Sequence, residues 1–183
     1  MKKHFIYILL LFIYSCSNDK VNVDSEEYHI PNKDNSDNSY ENSIIMNQLW
    51  IKNELFYIKR YCIRHKLPVI KTDTEISYYI YHSGVGEYVE PGDLVTIDYE
   101  VRLLDSDTTL CYSSSESGPI QFLVDMDNIE TGIHEAITYM KPGDKAYVIL
   151  PHFLAHGLIG NMDKVPPLSP LLYNISLLDV QKI

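Results

Sequence analysis

The most informative stretch of this sequence is TGIHEAITYMKPGDKAYVILP, which runs from Thr131 to Pro151. A short helix opens at Gly132, and its apolar residues recur at the spacing of a helix with one buried face. Pro142 and Gly143 end the helix, because proline cannot continue it and glycine adopts the turn that follows. The apolar run from Ala146 then predicts a strand that leaves directly after the turn.

Two short motifs separate this strand from the last one. The first reads Phe153-Leu154-Ala155-His156-Gly157, and the second reads Val165-Pro166-Pro167. The segment from Leu171 to Val180 follows, and its pattern predicts the final strand.

Strand patterns also precede the helix. The predicted strands are Glu75 to His82, Leu94 to Leu104, Leu110 to Ser113 and Ile120 to Val124, with turn residues between them. Five or six strands and one short helix predict an α+β domain over residues 71–183, in which a curled antiparallel sheet covers the helix. About 110 residues are enough for a single hydrophobic core.

A longer helix is predicted ahead of this domain, within residues 44–70. Apolar residues recur at steps of three and four from Ile44 to Lys66, and Pro68 ends the pattern. A helix with such an apolar stripe must pack on something. Docking onto the following domain and dimerisation are both open, and we favour docking.

Residues 16–43 have the composition of a tether. They are rich in Asn, Asp, Ser, Glu and Lys and carry almost no apolar cluster. Such a segment buries too little surface to offset its ordering entropy, so we expect disorder. A flexible chain of this length spans about 25–30 Å.

Residues 1–15 have the layout of a secretory signal peptide. Lys2 and Lys3 precede an apolar run from His4 to Tyr14, which is shorter than the ~20 residues that a membrane-spanning helix needs. The sequence Ile13-Tyr14-Ser15-Cys16 resembles a bacterial lipobox, although Tyr14 is bulkier than that motif usually carries. The resemblance implies a lipid on Cys16 and a place in the bacterial cell envelope, facing the periplasm or at the outer membrane. The alternative is an ordinary secretory signal with an incidental cysteine.

Charge and cysteine content exclude several kinds of function. The formal net charge is −10, and removal of residues 1–15 takes away two lysines and no acid, which leaves −12. An acidic chain without a basic cluster does not favour nucleic acid, since affinity for phosphates rests on Lys and Arg. No cysteine or histidine spacing predicts a metal site, and we expect no cofactor. Whether Cys62 and Cys111 pair is open.

The order and spacing of these motifs resemble an FKBP-type peptidyl-prolyl cis-trans isomerase. The resemblance covers residues 75–183 and rests on the ordered set rather than on one motif. Its main parts are Pro91-Gly92-Asp93, the Tyr99 strand, Ser113-Ser114, the Gly132 helix, Ala155-His156-Gly157 and Val165-Pro166-Pro167. Together with the lipobox, tether and helix, they resemble the gliding-motility-associated, FKBP-like lipoproteins of the Bacteroidetes.

The resemblance implies an apolar cup that holds a proline ring, with a few polar groups that hold the peptide carbonyls. By position, the residues implied for catalysis are Tyr99, Ile120, Ile129, Glu130, Ile133, His156, Val165 and Tyr173. Cys111, Tyr112 and Ala155 are placed at the edge of the cup. Other interpretations remain: Tyr99, Ile120 and Tyr173 alternate like ordinary core residues, His156 suits a plain loop, and Glu130 suits a solvated acid at a helix start.

The sequence departs from the family pattern inside the cup. Ile133 stands where the family usually has a tryptophan, and His156 where it has a tyrosine. Cys111-Tyr112 replaces the usual Phe-Asp pair, and a longer preceding loop leaves open whether Tyr112 takes the aromatic position. The residues Ser113, Ser114, His134 and Asp144 form no nucleophile–base pattern, so we expect surface or capping roles for them.

The resemblance therefore implies a peptidyl-prolyl isomerase, anchored in the envelope, that acts on X-Pro segments of unfolded or exported proteins. The altered Cys111-Tyr112 pair favours an alternative, a non-catalytic chaperone or binding lipoprotein of the same fold. Oligomeric state is not determined by the sequence.

Overall fold

The computed structural model describes residues 39–183. The signal peptide predicted for residues 1–15, the lipidation of Cys16 and the tether as far as residue 38 lie outside the described residues. Within residues 39–183, no helix is both long enough and apolar enough to cross a membrane.

The described chain contains an α+β arrangement close to the predicted one. In order, its elements are α1 (Ser39–Arg64), β1 (Ile70–Lys71), β2 (Ser77–His82), β3 (Leu94–Leu103), β4 (Leu110–Ser113), α2 (Ser114–Ser117), β5 (Ile120–Leu123), α3 (Thr131–Thr138), β6 (Lys145–Leu150) and β7 (Leu171–Gln181). A 3₁₀ turn, His152–Leu154, follows β6. The predicted strands are confirmed, and β1 and α2 are additions.

All seven strands form one antiparallel sheet. The strand order is β1-β2-β6-β7-β3-β4, and β5 pairs with the first half of β3. The longest pairing joins β3 to β7, from Leu94 opposite Gln181 to Leu103 opposite Leu171. Because side chains alternate between the faces of a strand, β3 places Val95, Ile97 and Val101 in the core and turns its polar residues away from it.

Helix α3 packs against the sheet and closes the core. Ile133, Ala136 and Ile137 are buried on one side of the helix, as the spacing predicts. Gly132 is needed for close approach, since a Cβ there would lie 2.6 Å from Leu150 Cδ2 and 3.0 Å from the Leu154 carbonyl oxygen. The helix therefore lies against β6 and the turn that follows it.

Helix α1 packs on the domain through its C-terminal half. Ile58, Tyr61 and Cys62 are buried in a cluster with Leu104, Ile149 and Leu172. This packing confirms docking, the favoured alternative, and dimerisation is untested. The helix begins at Ser39 and not at Ile44, so the last residues of the predicted tether are helical.

A buried histidine–carboxylate hydrogen bond joins α1 to the turn after β6. Glu54 Oε2 lies 2.6 Å from His152 Nδ1, and the His152 backbone N–H donates to Glu54 Oε1 at 2.7 Å. Both side chains are almost fully buried. The start of the turn that leads to His156 is thereby held by the helix.

Cys62 and Cys111 are both free and buried. Cys62 belongs to the cluster under α1, and Cys111 belongs to the main core. Burial raises the pKa of each thiol, which disfavours the thiolate.

Candidate functional site

A small apolar cavity of about 290 Å³ opens between β3, β7, α3 and the loop after β6, and we call it the cup. Its lining residues are Ile97, Tyr99, Val101, Tyr112, Ile120, Ile129, Glu130, Ile133, His156, Asn161 and Tyr173. Seven of the eight residues implied for catalysis lie here, drawn from three strands, α3 and two loops. A surface groove of about 650 Å³ along α1 is larger, but it gathers none of them.

The wall of the cup is formed by the two central strands. Ile97, Tyr99 and Val101 alternate along β3 and therefore project to the same side of the sheet. Tyr173 of β7 is the register partner of Val101. Ile97 and Val101 were not predicted as cup residues, although their alternation with Tyr99 indicates them.

Ile133 forms the base of the cup. It lies in the first turn of α3 and is almost completely buried. Ile120 and Ile129 are half-buried and pack on the same core. Aliphatic side chains thus provide the base and one side of the cup, where burial of apolar surface stabilises a bound apolar ring.

A histidine and a carboxylate lie in contact at the mouth of the cup. His156 Nε2 lies 3.1 Å from Glu130 Oε1, and the two side chains are 24% and 21% exposed. Glu130 stands at the N-cap of α3 without capping it through its side chain. Glu130 is therefore a partly buried partner of His156, not the freely solvated acid that its position at a helix start suggests.

Tyr112 is held in the cup by two hydrogen bonds. Its hydroxyl donates to Asp163 Oδ2 at 2.9 Å and accepts from Asn161 Nδ2 at 2.6 Å. Asn161 Oδ1 in turn accepts the backbone N–H of Val165 at 2.9 Å. Asn161 was missed because no local pattern in its loop indicates this contact.

A β-bulge determines which of Cys111 and Tyr112 faces the cup. Val101 pairs with Tyr112 and Arg102 pairs with Leu110, so Cys111 is the extra residue. Tyr112 faces the cup, while Cys111 is buried with its Sγ 3.6 Å from the Lys164 carbonyl oxygen. The aromatic position is therefore occupied by Tyr112.

Three residues assigned to the cup or its edge do not line it. Val165 is buried in the core, and its backbone N–H donates a hydrogen bond to the Asn161 side chain. Ala155 is half-buried and ends the 3₁₀ turn, and Cys111 lies beneath the wall. Each is close in sequence to a lining residue. The path of the loop separates Val165 and Ala155 from the cup, and the bulge in β4 separates Cys111 from it.

The Tyr173 hydroxyl differs from the other hydroxyls of the cup. It is buried and has no hydrogen-bond partner in the described chain, whereas the Tyr99 hydroxyl lies 2.9 Å from Ser117 Oγ. Burial raises the pKa of Tyr173 well above 10.0, and the nearby Glu130 charge raises it further. The Glu130 carboxylate lies near this hydroxyl and raises its pKa both as a charge and as an acceptor. The hydroxyl nevertheless makes no hydrogen bond of normal geometry within residues 39–183.

The polar residues next to the cup have structural roles. Ser113 caps α2, and Ser114 Oγ accepts the Tyr99 backbone N–H at 3.1 Å. His134 is buried, and its two ring nitrogens contact the backbone of Asp125 and Asp127 at 2.9 and 3.0 Å. Capping is confirmed for Ser113, whereas the core position of His134 corrects the expected surface role.

Asp144 also has a structural role, because its carboxylate accepts backbone N–H groups of Gly84 and Lys141 at 2.5 and 2.8 Å. Within residues 39–183, no three His, Cys, Asp or Glu side chains are grouped as a metal site requires. What the cup offers is an enclosed apolar surface with a few hydrogen-bonding groups, which suits binding and conformational chemistry.

Comparisons with known proteins agree with this architecture. The family model described as FKBP-type peptidyl-prolyl cis-trans isomerase matches residues 86–178. FkpA from Escherichia coli K12, called an FKBP-type peptidyl-prolyl cis-trans isomerase, is 31% identical over 113 residues, which are 61% of this chain and 40% of FkpA. The peptidyl-prolyl cis-trans isomerase Mip from Coxiella burnetii is 32% identical over 117 residues, 63% of this chain and 49% of Mip.

The crystal structure of FkpA from Escherichia coli superposes with a TM-score of 0.62 at 26% identity, covering 78% of this chain and 65% of that one. The chain thus matches half or less of the length of the FkpA and Mip sequences. The family match over residues 86–178 includes β3 to β6, most of β7, α3 and all the residues that line the cup. From the fold, the cup and the family match together, we conclude that this chain belongs to the FKBP-type peptidyl-prolyl cis-trans isomerases.

Proposed function

We propose that the cup of this chain binds X-Pro segments of proteins and catalyses their cis–trans isomerisation. The observation that carries the proposal is the convergence of Tyr99, Tyr112 and Tyr173 with Ile120, Ile129 and Ile133 around one small cavity. A prolyl ring is apolar and compact, and such a cavity removes it from water on several sides.

The chemistry needs no nucleophile. Rotation about the amide C–N bond has a barrier of about 18–20 kcal/mol, which comes from resonance. A pocket poor in water disfavours the polar planar amide relative to the twisted one, in which charge separation is lower. Shape complementarity to the twisted bond then lowers the barrier, since only interactions stronger in the transition state accelerate the reaction.

The residues of the cup divide this task. Ile133 at the floor and Ile129 beside it contact the prolyl ring, and Tyr99 and Tyr112 enclose it from the strands. His156 contributes a hydrogen bond to a peptide carbonyl only through Nδ1, or after Nε2 leaves Glu130. Whether the Glu130–His156 contact is made or broken therefore determines how accessible His156 is to a bound peptide.

The alternative, a binding module without turnover, is favoured by a different observation. Leu158, Ile159 and Met162 follow His156 in the loop at the mouth and are 62%, 64% and 86% exposed. Adjacent exposed apolar residues commonly mark a surface that binds another protein. This loop suits unfolded chains whether or not the cup accelerates isomerisation.

The cellular context that we propose rests on residues 1–43. The signal-like segment and the lipobox-like Cys16 support an envelope lipoprotein that assists the folding of exported proteins. A role in gliding-motility machinery rests only on the resemblance of this layout to the FKBP-like lipoproteins named above.

The deciding experiment measures isomerisation of an X-Pro tetrapeptide by the full chain, beside Tyr99→Ala. We expect turnover above the uncatalysed rate, and a loss of more than tenfold in kcat/KM for the variant. Circular-dichroism melting checks that Tyr99→Ala remains folded at the assay temperature. Absence of turnover in the parent, combined with binding of unfolded protein that Tyr99→Ala leaves intact, contradicts the isomerase and supports the binding module.

A further inference from the structure

The cup contains a buried hydrogen-bond donor with nothing to donate to. Tyr173 is 4% exposed, and its hydroxyl has no partner among residues 39–183. Leaving such a group unpaired costs about 1–3 kcal/mol, so each case in a folded protein calls for an explanation.

The polar groups around it are already engaged. The Glu130 carboxylate pairs with His156, the Tyr99 hydroxyl with Ser117, and the Tyr112 hydroxyl with Asp163 and Asn161. Burial and the Glu130 charge raise the pKa of Tyr173, so its hydroxyl stays protonated at neutral pH and remains a donor. Because no neighbouring group is placed to accept this hydrogen bond with normal geometry, an acceptor that enters the cup from outside can complete it.

The chemistry of proline identifies that group. Proline has no backbone N–H, so the polar backbone oxygens beside a bound prolyl ring are carbonyl oxygens, which accept hydrogen bonds. A spare donor in the cup can therefore bind one of the carbonyl oxygens that flank the prolyl ring. Tyr173 is register-paired with Val101 and Val148 in the centre of the sheet, so its ring is held in place.

We propose that the Tyr173 hydroxyl binds substrate by donating a hydrogen bond to a backbone carbonyl oxygen of the X-Pro segment. This inference rests on the function proposed above and adds a specific polar contact to it. Tyr173 is then a binding residue whose hydroxyl is unsatisfied in the free protein and satisfied in the complex.

Tyr173→Phe tests the proposal, because it removes the hydroxyl and keeps the ring. The full chain and the variant are titrated with an Ala-Leu-Pro-Phe peptide, and both are melted without ligand. We expect Kd to rise about three- to tenfold, the range that one buried hydrogen bond accounts for. The melting temperature of the free variant is expected to stay level or rise, because the unpaired hydroxyl is gone.

Tyr81→Phe is the matched control, since its hydroxyl donates to Asn174 Oδ1 at 2.8 Å and Tyr81 is not among the residues lining the cup. Its Kd for the peptide is expected to equal that of the parent.

An unchanged Kd for Tyr173→Phe, with a parent that binds, overturns this inference and leaves the proposed function standing. A fall in the melting temperature also overturns it, since the hydroxyl then has a structural partner. A parent that binds no X-Pro peptide removes the proposed function and this inference together.

Discussion

At the scale of single residues, the cup depends on which of two neighbours faces inward. The bulge at Cys111 turns Tyr112 into the cavity and leaves the thiol in the core. An aromatic ring is thereby kept at this wall, with its hydroxyl held by Asn161 and Asp163. No aspartate remains next to this aromatic residue, and the Asp163 carboxylate contacts the Tyr112 hydroxyl from the loop.

This assignment predicts opposite outcomes for two adjacent substitutions. Tyr112→Ala is expected to lower X-Pro peptide affinity at least tenfold, because it opens one wall of the cavity. Cys111→Ala is expected to leave affinity unchanged and to lower the free energy of unfolding by about 1 kcal/mol, as small core truncations do. Peptide titration and urea unfolding of both variants measure this. Reversal of the two affinities would place Cys111 in the cup.

At the scale of elements, α3 reaches its position only because its second residue is glycine. Helix propensity alone predicts that Gly132→Ala stabilises by about 1 kcal/mol. The added Cβ would instead meet Leu150 Cδ2 at 2.6 Å, which is closer than packed atoms allow. We expect a net loss of about 1–3 kcal/mol, the usual cost of overpacking a core.

Urea unfolding of the full chain gives the sign of this effect. Thr131→Ala is the control, because Thr131 is exposed one residue earlier in the same helix. Its unfolding free energy is expected to change by less than ~0.5 kcal/mol. A Gly132→Ala variant more stable than the parent would show that α3 has room to move.

The ends of the two central strands are joined by Asp93. Its carboxylate Oδ2 accepts the Glu90 N–H at 2.8 Å and lies 2.9 Å from Lys182 Nζ, just after β7. Burial alone raises the pKa of Asp93, but the Glu90 hydrogen bond and Lys182 outweigh it, and the net pKa is below 3.8. The native state therefore favours the ionised carboxylate more than the unfolded chain does.

The sign of the pH dependence follows from this lowered pKa. The contribution of Asp93 is present above its ordinary pKa of 3.8 and is lost as pH falls through the lower native value. Asp93→Asn is expected to lower stability at pH 7 and to flatten the loss of stability between pH 5 and pH 3. Chemical unfolding across this range measures both. Asp107→Asn, at an exposed position, serves as control and is expected to leave the parent's profile unchanged.

At the scale of the whole molecule, the proposed envelope lipoprotein joins a cup-bearing domain to a lipid through residues 16–38 and α1. The Glu54–His152 pair fixes α1 to the start of the turn that leads to the mouth of the cup. A shift of α1 relative to the sheet would therefore displace the turn that leads to His156.

Cys16→Ser tests the anchor. Because the thiol is the proposed point of lipid attachment, the variant is expected to leave the membrane fraction or to remain unprocessed. Membrane fractionation with a high-salt wash and mass measurement of the N-terminus distinguish the two. A normally processed variant that stays membrane-bound would contradict the lipoprotein, and the cup would be unaffected by that result.

The sequence alone determined the strands, the position of α3 and most of the cup. Alternation over Leu94 to Leu104 and the turn at Pro142-Gly143 are local signals, because period and turn chemistry act between residues near in the chain. The end of α3 was nevertheless predicted too late, since the helix ends at Thr138, before Pro142. Ile133, Glu130 and Tyr99 were assigned to the cup by the resemblance to the FKBP family, not by periodicity or turn chemistry. The start of α1 was misplaced by five residues, since helix ends lack such sharp signals.

Only the tertiary structure decided the polar contacts of the site. The choice of Tyr112 over Cys111 depends on a bulge set by pairing between β3 and β4, and the contact of Asn161 with Tyr112 spans 49 residues. The unpaired Tyr173 hydroxyl is visible only when every neighbouring group is placed. Such features are set by packing between segments distant in sequence, and no local pattern encodes which polar atoms then meet or fail to meet.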